Sequence, residues 1–470
     1  MGSKSDNTPE VDSKEDLVYL YKWYVEFYNE KDTKTKIYPL SMDKFMIMND
    51  YKNANIPVIT ARMRLKLKDI IKLKDWQKSC MVSITCKRHD MQKTGTGSYK
   101  ELNSTIDFST TLVPIFNSKT FKEKYDKEDI EERDNKSSAA DLNVDSASVN
   151  MILLDPTSTN ALKTMFCQVV APGNTVGTVM QWMFSEMPVT GVIVDPPDNS
   201  GEQPAILIPP MSFTQAMNHL QSVYGIYENG LLIYYDIDGN LYVLDKYSTE
   251  HEHEKDVSNL TKLYMLDASE STVGNTVRLK KKSSDDAQYT GVIILTYVGN
   301  EVLDGEMMGN TLIFSSFQQG IDAVTYEKQK VKSSTAKDVA MALTRNKKTN
   351  ELTGTKAMAD YDELNNMYNM SSYFNEIEST SNKYIVELKN CVMTDFKPNT
   401  IIEMEFEDTT KNNEQSGKYF LNKAMFSFSR IKTADQNKII DDSEDIEKYG
   451  YTPSTTSCTC ELEVSRRYPD

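Results

Sequence analysis

The sequence has few of the residues that most often mark catalytic and metal sites. Four of its 470 residues are histidine and six are cysteine. Only Cys458 and Cys460 lie close together, as Cys-Thr-Cys, which is not the spacing of a redox or zinc motif. We therefore expect reduced thiols in a protein made in the cytosol.

Long hydrophobic runs are also missing. The run GVIILTYVG at 291–299 is among the longest, whereas a membrane-spanning helix needs about 20 apolar residues. The N-terminal segment MGSKSDNTPEVDSKEDL is polar and acidic and contains no signal-peptide core. The sequence therefore predicts no membrane insertion and no secretion signal.

Positive charge is in deficit. Acidic residues number 69 against 53 basic ones, which gives a net charge of -16. A dedicated nucleic-acid-binding protein normally presents a basic surface, so this balance argues against that function. In the basic segment from Ala61 to Asp75 the charges alternate with apolar residues, which predicts a strand with a basic outer face.

Two short motifs suggest a metal ion, and each lacks the residues that would complete its site. His and carboxylate groups in HEHE, at 251–254, suit zinc or nickel, but no further His or Cys lies at a ligand spacing. The segment DIDGN at 236–240 resembles the start of a calcium loop, but Leu241 and Tyr247 occupy the positions of its glycine and glutamate. We interpret the first motif as a solvated loop and the second as a hairpin turn.

Other catalytic signatures are equally incomplete. TGTGS at 94–98 lacks the ending of a phosphate-binding loop, and we interpret it as a hairpin turn. Glu403 and Glu405 share one face of a predicted strand, but a chain with 69 acidic residues produces such carboxylate pairs by chance. We expect His219 to be a packed, hydrogen-bonded histidine. The sequence therefore predicts no catalytic residue, no cofactor and no metal ligand, and hence a protein that is not an enzyme.

The most strongly patterned segment runs from Ser212 to Tyr247 and begins as a helix. Ser212 and Gln215 have the spacing of a capping box at a helix start. The apolar positions that follow share one helical face: Phe213, Met217, Leu220 and Val223. Gly225 suits the left-handed position that ends a helix.

A hairpin follows this helix. Alternate residues of its first strand form one buried face: Leu231, Ile233, Tyr235 and Ile237. Asp238-Gly239 predicts a tight primed turn, and residues 241–247 form the return strand. The local signals agree on one helix–hairpin unit.

The rest of the chain is typical of a protein built from short strands, in keeping with its 26 tyrosines. A further helix is predicted at 175–187, so the fold class is mainly β with an α+β middle region. The predicted division is a disordered N-terminus (1–14), a first β domain (15–125), an acidic linker or loop (126–150), a middle α+β domain (151–260), a second β domain (261–435) and an acidic C-terminal tail (436–470).

Two segments resemble the central baseplate hub proteins of contractile-tailed bacteriophages. The first is the helix followed by YGIYENGLLIYYDIDGNLYVLDKY, which is similar to the middle region of that family. The second runs from DFKPNTIIEMEFED to GKYFLNKAMFSFSR and carries a Gly-x-Tyr motif at Gly417-Lys418-Tyr419. Pro398-Asn399 replaces a Pro-Gly turn there, a mild departure because asparagine tolerates the left-handed conformation.

The resemblance implies a hub with two tube-like antiparallel β-barrel domains, at 15–125 and 261–435, and a middle helix–hairpin domain. It implies a homotrimer that joins the tail tube protein to the central spike protein and helps form the channel for DNA ejection. Viral DNA would pass through without specific binding. Baseplate wedge proteins and the tape measure protein are further expected partners. The expected location is the virion, in the tail baseplate, after assembly in the host bacterial cytoplasm.

Three alternatives stay open on the sequence. One is a baseplate wedge or another tail-associated structural component. A cell-wall hydrolase is the second, because such a site needs only two carboxylates. The third is a carbohydrate- or receptor-binding β protein, which would expose Trp and Tyr side chains.

Overall fold

The structure is a computed structural model, and the residues that it describes are 17–52, 54–76, 79–93, 99–116, 146–203, 205–227, 230–246, 248, 261–266, 276–281, 291–299, 311–314, 327–330, 382–406, 417–430 and 453–466. Within them the chain is mainly β, as predicted. The predictions for 1–14, 94–98, 126–145 and 251–254 concern residues outside this set.

The elements fall into three successive groups along the chain. The first group is β1 (Leu17–Asn29), β2 (Asp32–Ile37), β3 (Ser41–Asp50), β4 (Val58–Lys66), α1 (Leu67–Asp75), β5 (Cys80–Lys93), β6 (Tyr99–Phe116) and β7 (Ser146–Leu154). The middle group is α2 (Pro156–Lys163), β8 (Met165–Val170), β9 (Asn174–Thr175), α3 (Val176–Ser185), β10 (Gly191–Val194), β11 (Glu202–Gln203), β12 (Ile206–Ser212), α4 (Phe213–Val223), β13 (Leu231–Tyr235) and β14 (Asn240–Asp245). The last group is β15 (Thr261–Leu266), β16 (Thr276–Lys281), β17 (Gly291–Gly299), β18 (Thr311–Phe314), β19 (Glu327–Lys330), β20 (Asn382–Lys389), β21 (Ile401–Phe406), β22 (Gly417–Arg430) and β23 (Ser454–Arg466).

Eight strands pair side by side until the last one pairs with the first, and we call this closed set of strands the first circuit. Their order is β1–β23–β22–β3–β4–β7–β6–β5, and β5 pairs back onto β1. Every pairing in this circuit is antiparallel. Closure removes the two exposed edges that an open sheet of these strands would have.

A second circuit of seven strands shares the β22–β23 pair with the first. Its order is β23–β20–β17–β16–β15–β21–β22, and β22 pairs back onto β23. β15 and β21 pair in parallel, with Thr261 beside Ile402, which corrects the expectation of purely antiparallel barrels. The chain between these two strands is far longer than the dozen or so residues that a parallel connection needs, so its length permits either direction.

Each strand of the shared pair changes its other partner part of the way along. On β22, residues 417–420 pair with β21 of the second circuit and residues 423–429 pair with β3 of the first. On β23, residues 454–457 pair with β1 of the first circuit and residues 459–466 pair with β20 of the second. The two circuits therefore diverge at a fork in each shared strand.

An aromatic cluster fills the core of the first circuit. The Trp23 ring lies 4.2 Å from the Phe45 ring and 4.8 Å from the Phe428 ring, between centroids. Its Nε1 donates to Thr456 Oγ1 at 2.9 Å, which satisfies the polar atom of this fully buried side chain. These contacts connect β1, β3, β22 and β23.

The predicted basic strand is confirmed in β4 but ends earlier than predicted. Its buried residues alternate with exposed basic ones: Ile59, Ala61, Met63 and Leu65 against Arg62, Arg64 and Lys66. At Leu67 the chain becomes α1, whose buried residues Ile70 and Leu73 have helical spacing. In LKLKDIIKL the apolar residues fit both the two-residue period of a strand and the spacing of a helix. The alternation therefore predicted a strand that continued too far.

The helix of the helix–hairpin unit begins as predicted. The Ser212 side chain accepts a hydrogen bond from the Gln215 N–H, and Gln215 Oε1 accepts one from the Ser212 N–H at 3.0 Å. α4 buries three of the four predicted apolar residues in the core of the middle region, namely Phe213, Met217 and Leu220, whereas Val223 is only partly buried. The predicted helix at 175–187 is likewise present as α3.

The end of α4 also follows the prediction. Gly225 has a φ of 74°, and its N–H donates to Leu220 O at 2.9 Å. The buried Gln221 side chain holds the reversal that follows, because its Oε1 accepts from the N–H groups of Ile226 and Tyr227 at 3.1 and 3.0 Å.

The hairpin is buried on both faces, whereas the sequence predicted one. One face packs with α4 in the core of the middle region: Ile233, Tyr235, Leu241 and Val243. The other face joins the core of the circuits: Leu232, Tyr234, Tyr242 and Leu244.

The turn of the hairpin is not of the predicted primed type. A type I′ turn needs a positive φ at both central residues. Gly239 has a φ of 78°, but Asp238 keeps a negative φ. Asp236 stabilises a wider loop instead, because its Oδ1 accepts from the N–H groups of Asp238 and Asn240 at 2.9 and 2.8 Å.

Part of the predicted acidic tail is a core strand. Residues 454–466 form β23, and its inward positions are buried: Cys458, Cys460, Leu462 and Val464. Glu461 and Glu463, two of the acidic residues of the predicted tail, alternate with them. β7 similarly begins at Ser146, inside the predicted linker. The first circuit therefore takes strands from regions that the sequence assigned to different domains.

We expect Gly225→Val to lower the melting temperature. A β-branched residue at this positive φ strains the backbone by about 1 kcal/mol or more. The control is Ser248→Val, which places the same side chain beyond the hairpin. Equal melting temperatures for the two variants in thermal unfolding would contradict the assigned helix end.

Candidate functional site

The candidate residues from the sequence do not assemble into a reactive site. His219 lies on α4, where its Nε2 donates to Leu207 O at 2.9 Å and its ring meets the Tyr224 ring edge-on. It is the packed, hydrogen-bonded histidine that the sequence predicts. Glu403 and Glu405 both lie on β21, beside Lys262 and Tyr264 of β15.

Two negative findings hold for the part of the chain that the structure describes. No group of three or more His, Cys, Asp or Glu side chains there is placed to hold a metal ion. In those same residues no helix combines the length and the apolar character that crossing a membrane requires.

A close contact across the shared pair explains the Gly-x-Tyr motif. Gly417, with a φ of 151°, leaves room for Arg466: a Cβ at this position would lie 2.8 Å from Cζ and Nη2 of that side chain. The guanidinium carbon lies 5.9 Å from the centre of the Tyr419 ring, within range of a cation–π interaction. Glycine thus provides the space that Arg466 occupies, and tyrosine provides the ring that it faces.

The Pro398-Asn399 turn contributes a second specific contact. Asn399 has a φ of 52°, which confirms that asparagine takes the left-handed conformation expected there. Its buried Nδ2 donates to Asp245 O at 3.3 Å, at the end of the hairpin. A glycine would supply the same backbone freedom without this hydrogen bond.

The hairpin is anchored to the first circuit by polar contacts as well as by packing. Tyr234 Oη donates to Asn49 Oδ1 at 2.9 Å. The loop after β3 contributes Asn55, whose carbonyl accepts from the Tyr235 N–H at 2.8 Å and whose Nδ2 donates to Thr214 Oγ1 at 3.0 Å. These bonds attach the middle region to the wall of the circuit in one defined orientation.

A largely buried cluster of charges lies against the core of the first circuit. Arg88 Nε lies 2.8 Å from Asp90 Oδ1, and its Nη1 lies 3.1 Å from Asp107 Oδ1. The Asp107 side chain is only 1% exposed. The guanidinium also lies over the Tyr19 ring, 5.7 Å from its centre. One guanidinium therefore serves two carboxylates.

This sharing determines how the cluster ionises. Burial raises the pKa of Asp107 to about 6, and the attraction of Arg88 only partly offsets that effect. For Arg88 burial acts to lower the pKa, but the two carboxylates outweigh it and the pKa is raised. The pKa of Asp107 stays raised because this carboxylate shares the Arg88 cation with Asp90, whereas the Arg88 cation is stabilised by both carboxylates.

Sequence reasoning missed this cluster. Arg88 and Asp107 are 19 residues apart and meet because β5 and β6 pair. A register shift between Cys86 and Lys87 sets Asp107 out of the paired register. Such a bulge changes the direction of the side chains around it, and the residue pattern of neither strand predicts it.

A cavity of about 110 Å³ lies where the hairpin meets the first circuit. Its lining includes the carboxylates of Asp107, Asp236 and Asp238 and the rings of Tyr51 and Tyr242. Pockets for drug-sized ligands are roughly 300–1,000 Å³, so this cavity suits a few water molecules better than a substrate. The contacts around it hold the fold together.

Comparisons with known proteins give one family and several solved structures. A family model described as Bacteriophage PBS1 gene 109 protein matches residues 21–448. Matched structures include the half-lidded Francisella PdpA–VgrG complex, at 8% identity and a TM-score of 0.43, covering 97% of this chain and 60% of that chain. The tail protein from Neisseria meningitidis MC58 matches at 11% identity and a TM-score of 0.44, covering 95% and 97%.

A third match is the 43 kDa tail protein of prophage MuSo2 from Shewanella oneidensis, at 11% identity and a TM-score of 0.41, covering 94% of this chain and 98% of that chain. The present chain spans 60% of the length of the Francisella chain and nearly all of the two tail proteins. No curated protein matches the chain.

Gly417→Ala should destabilise the shared pair. The new Cβ would occupy a strained φ, at a cost of about 1 kcal/mol, and would push Arg466 off the Tyr419 ring. The matched control is Gly177→Ala on α3, where a Cβ would make ordinary contact with Pro197 Cγ at 3.5 Å. Urea unfolding should show a lower midpoint for the first variant alone. A smaller effect in an Arg466→Ala background would identify Arg466 as part of the obstacle, because the strain from φ remains there. Equal midpoints for the two glycine variants would contradict the contact.

We expect Asp107 to make stability depend on pH. Its pKa is about 6 when folded and about 3.9 when unfolded, so the folded protein binds the extra proton. Its contribution is therefore full below about pH 4 and is lost as the pH rises through about 6, by up to about 3 kcal/mol. In Asp107→Asn the urea midpoint should therefore change less between pH 4 and 7 than it does in the parent protein. The control is Asp75→Asn, at an exposed residue, and its urea midpoint should depend on pH as that of the parent does. Equal pH dependence in the two variants would count against the assignment to Asp107.

Proposed function

The chain belongs to the Bacteriophage PBS1 gene 109 protein family, and on that basis we propose that it is a baseplate hub subunit of the phage tail. This membership confirms the bacteriophage origin that the resemblance of the sequence predicted. The subunit joins the tail tube protein to the central spike protein and helps form the channel for DNA ejection. Its role is structural, and it carries out no reaction.

The observation that carries this proposal is the pair of closed strand circuits fused through β22 and β23. We infer that the two circuits are the two tube-like β-barrels of a hub. Fusion through a continuous strand pair would keep the barrels in fixed register, as a subunit that continues a tube requires. Two barrels joined by a flexible linker would not keep such a fixed relative position.

Symmetry supplies the second step. Homo-oligomers usually close around a symmetry axis, and three chains with two barrels each would present six near-equivalent units. Such a homotrimer matches a hexameric tube on one side and a trimeric spike on the other. The tape measure protein would meet the same central opening.

The middle region fits a contact to baseplate wedge proteins. Its hairpin is inserted between two cores, so the region is attached firmly to the wall of the first circuit. A firmly attached projection can pass force between the hub and its surroundings. Its core around α4 is separate from that of the circuits.

The charge of the chain suits a DNA channel without specific binding. A net charge of -16 per subunit repels phosphate groups, so DNA would pass through with little adhesion. The cysteines of the described chain are free thiols, in keeping with assembly in the reducing host cytoplasm before the virion leaves the cell.

The purified chain should form a homotrimer, alone or with its tube and spike neighbours. Repulsion between chains of charge -16 is screened by salt, so we expect assembly to strengthen as ionic strength rises. Mass measurement across ionic strengths tests this, and electron micrographs should show rings. A persistent monomer under all these conditions, or a stable dimer, would exclude the hub role and favour a wedge or other tail component.

A further inference from the structure

Three buried cysteines meet at the fork in β23. Cys458 and Cys460 lie on this strand, and Cys391 lies just after β20. The Sγ atoms of Cys391 and Cys458 are 3.4 Å apart. All three side chains are shielded from solvent, with relative exposures of 0 to 2%.

The backbone around Cys391 is held on both sides of the fork. The N–H of Asn390, a residue with a φ of 59°, donates to Cys458 O at 2.9 Å. Asn390 Oδ1 accepts from the Tyr19 N–H of β1 at 2.6 Å, and Cys391 O accepts from Tyr21 Oη at 2.8 Å. Residues 390 and 391 thus fill the gap where β1 leaves β23 and β20 joins it.

We propose that Cys391 and Cys458 form an intramolecular disulfide when the assembled protein reaches an oxidising medium. A disulfide needs the two sulfurs about 2.05 Å apart, so they must approach by roughly 1.4 Å from their contact distance. Small side-chain rotations can supply that approach because the neighbouring backbones are already hydrogen-bonded. The fork is therefore a covalent cross-link site as well as a packing site.

The geometry selects this pair among the six cysteines. Cys458 and Cys460 are two apart on one strand and lie side by side on the same face, where the extended backbone keeps their Cβ atoms roughly 6–7 Å apart. That separation exceeds the Cβ spacing of a disulfide, about 3.8 Å. Cys391 faces both of them from the neighbouring segment and is the common partner. Cys167, by contrast, is exposed on β8.

The oxidant is a low-molecular-weight disulfide. Local opening of the fork admits the oxidant to this buried site. The Cys391 thiolate then attacks one of its sulfurs, which forms a mixed disulfide and releases one small thiolate. Cys458 then attacks Cys391 Sγ, loses its proton and releases the second small thiol. Two protein thiols are oxidised and one small disulfide is reduced to two thiols. Burial acts to raise the pKa of Cys391, but hydrogen bonds from the two neighbouring thiols outweigh it and lower the pKa, so Cys391 ionises first and is the attacking group.

The cross-link would fasten the fork on which both circuits depend. It joins residues 67 positions apart and closes a loop that contains β21 and β22. β20 could then no longer separate fully from β23, so the second circuit would stay closed at this point. A virion that is assembled with reduced thiols would gain this lock after release, with only a local adjustment of the two side chains.

The test uses the full chain with Cys167→Ser, which removes the exposed thiol. The folded, reduced protein is incubated with hydroxyethyl disulfide, quenched by alkylation and digested without reduction. We expect two fewer free thiols, a peptide linking Cys391 to Cys458 by mass spectrometry, and a melting temperature higher by roughly 4 °C or more than that of the reduced protein.

Two variants complete the test. Cys460→Ala should keep the link, and Cys391→Ala should abolish it. Thiol counting after denaturation checks that all remaining cysteines were free at the start. Full retention of thiols in the folded protein after prolonged oxidation would overturn the proposal, and so would a link between any other pair of cysteines. The peptide map of the parent chain decides the outcome even if a cysteine variant fails to fold.

Discussion

Hydrogen bonding between β22 and β23 is the constraint on which the rest of the fold depends. The pair extends from Phe420 beside Ser465 to Arg430 beside Thr456, and both circuits close through it. Each strand serves one circuit at one end and the other circuit at the opposite end. Two circuits built in this way cannot shift relative to each other without breaking the pair, because the same backbone groups hold both.

A fork in a strand leaves backbone groups without their regular partners, and this protein satisfies them with specific residues. On β22 the fork coincides with a register shift at Asn422, whose carbonyl accepts from the Tyr51 N–H. On β23 the fork is filled by Asn390 and Cys391. Unpaired buried backbone groups are costly, so these residues are part of the architecture as much as the strands are.

Buried polar groups elsewhere set orientation more than they add stability. The Arg88 cluster puts two carboxylates on one cation, an arrangement whose desolvation offsets much of its attraction. Asn55 and Asn399 make hydrogen bonds that tie the hairpin to the circuits. Tyrosine suits such positions because its ring packs in a core while its hydroxyl reaches a polar partner, as Tyr234 does with Asn49.

The sequence by itself determined the local elements: the capped start of α4, its glycine end at Gly225, the left-handed Asn399 and the alternation in β4. Each of these depends on residues a few positions apart, whose spacing a sequence displays directly. Only the tertiary structure decided that 454–466 is a core strand, that the hairpin is buried on both faces, and that Arg88 meets Asp107 and Cys391 meets Cys458. Those outcomes depend on register and on which distant strands pair, and a shift of one residue would send every side chain of a strand to the opposite face.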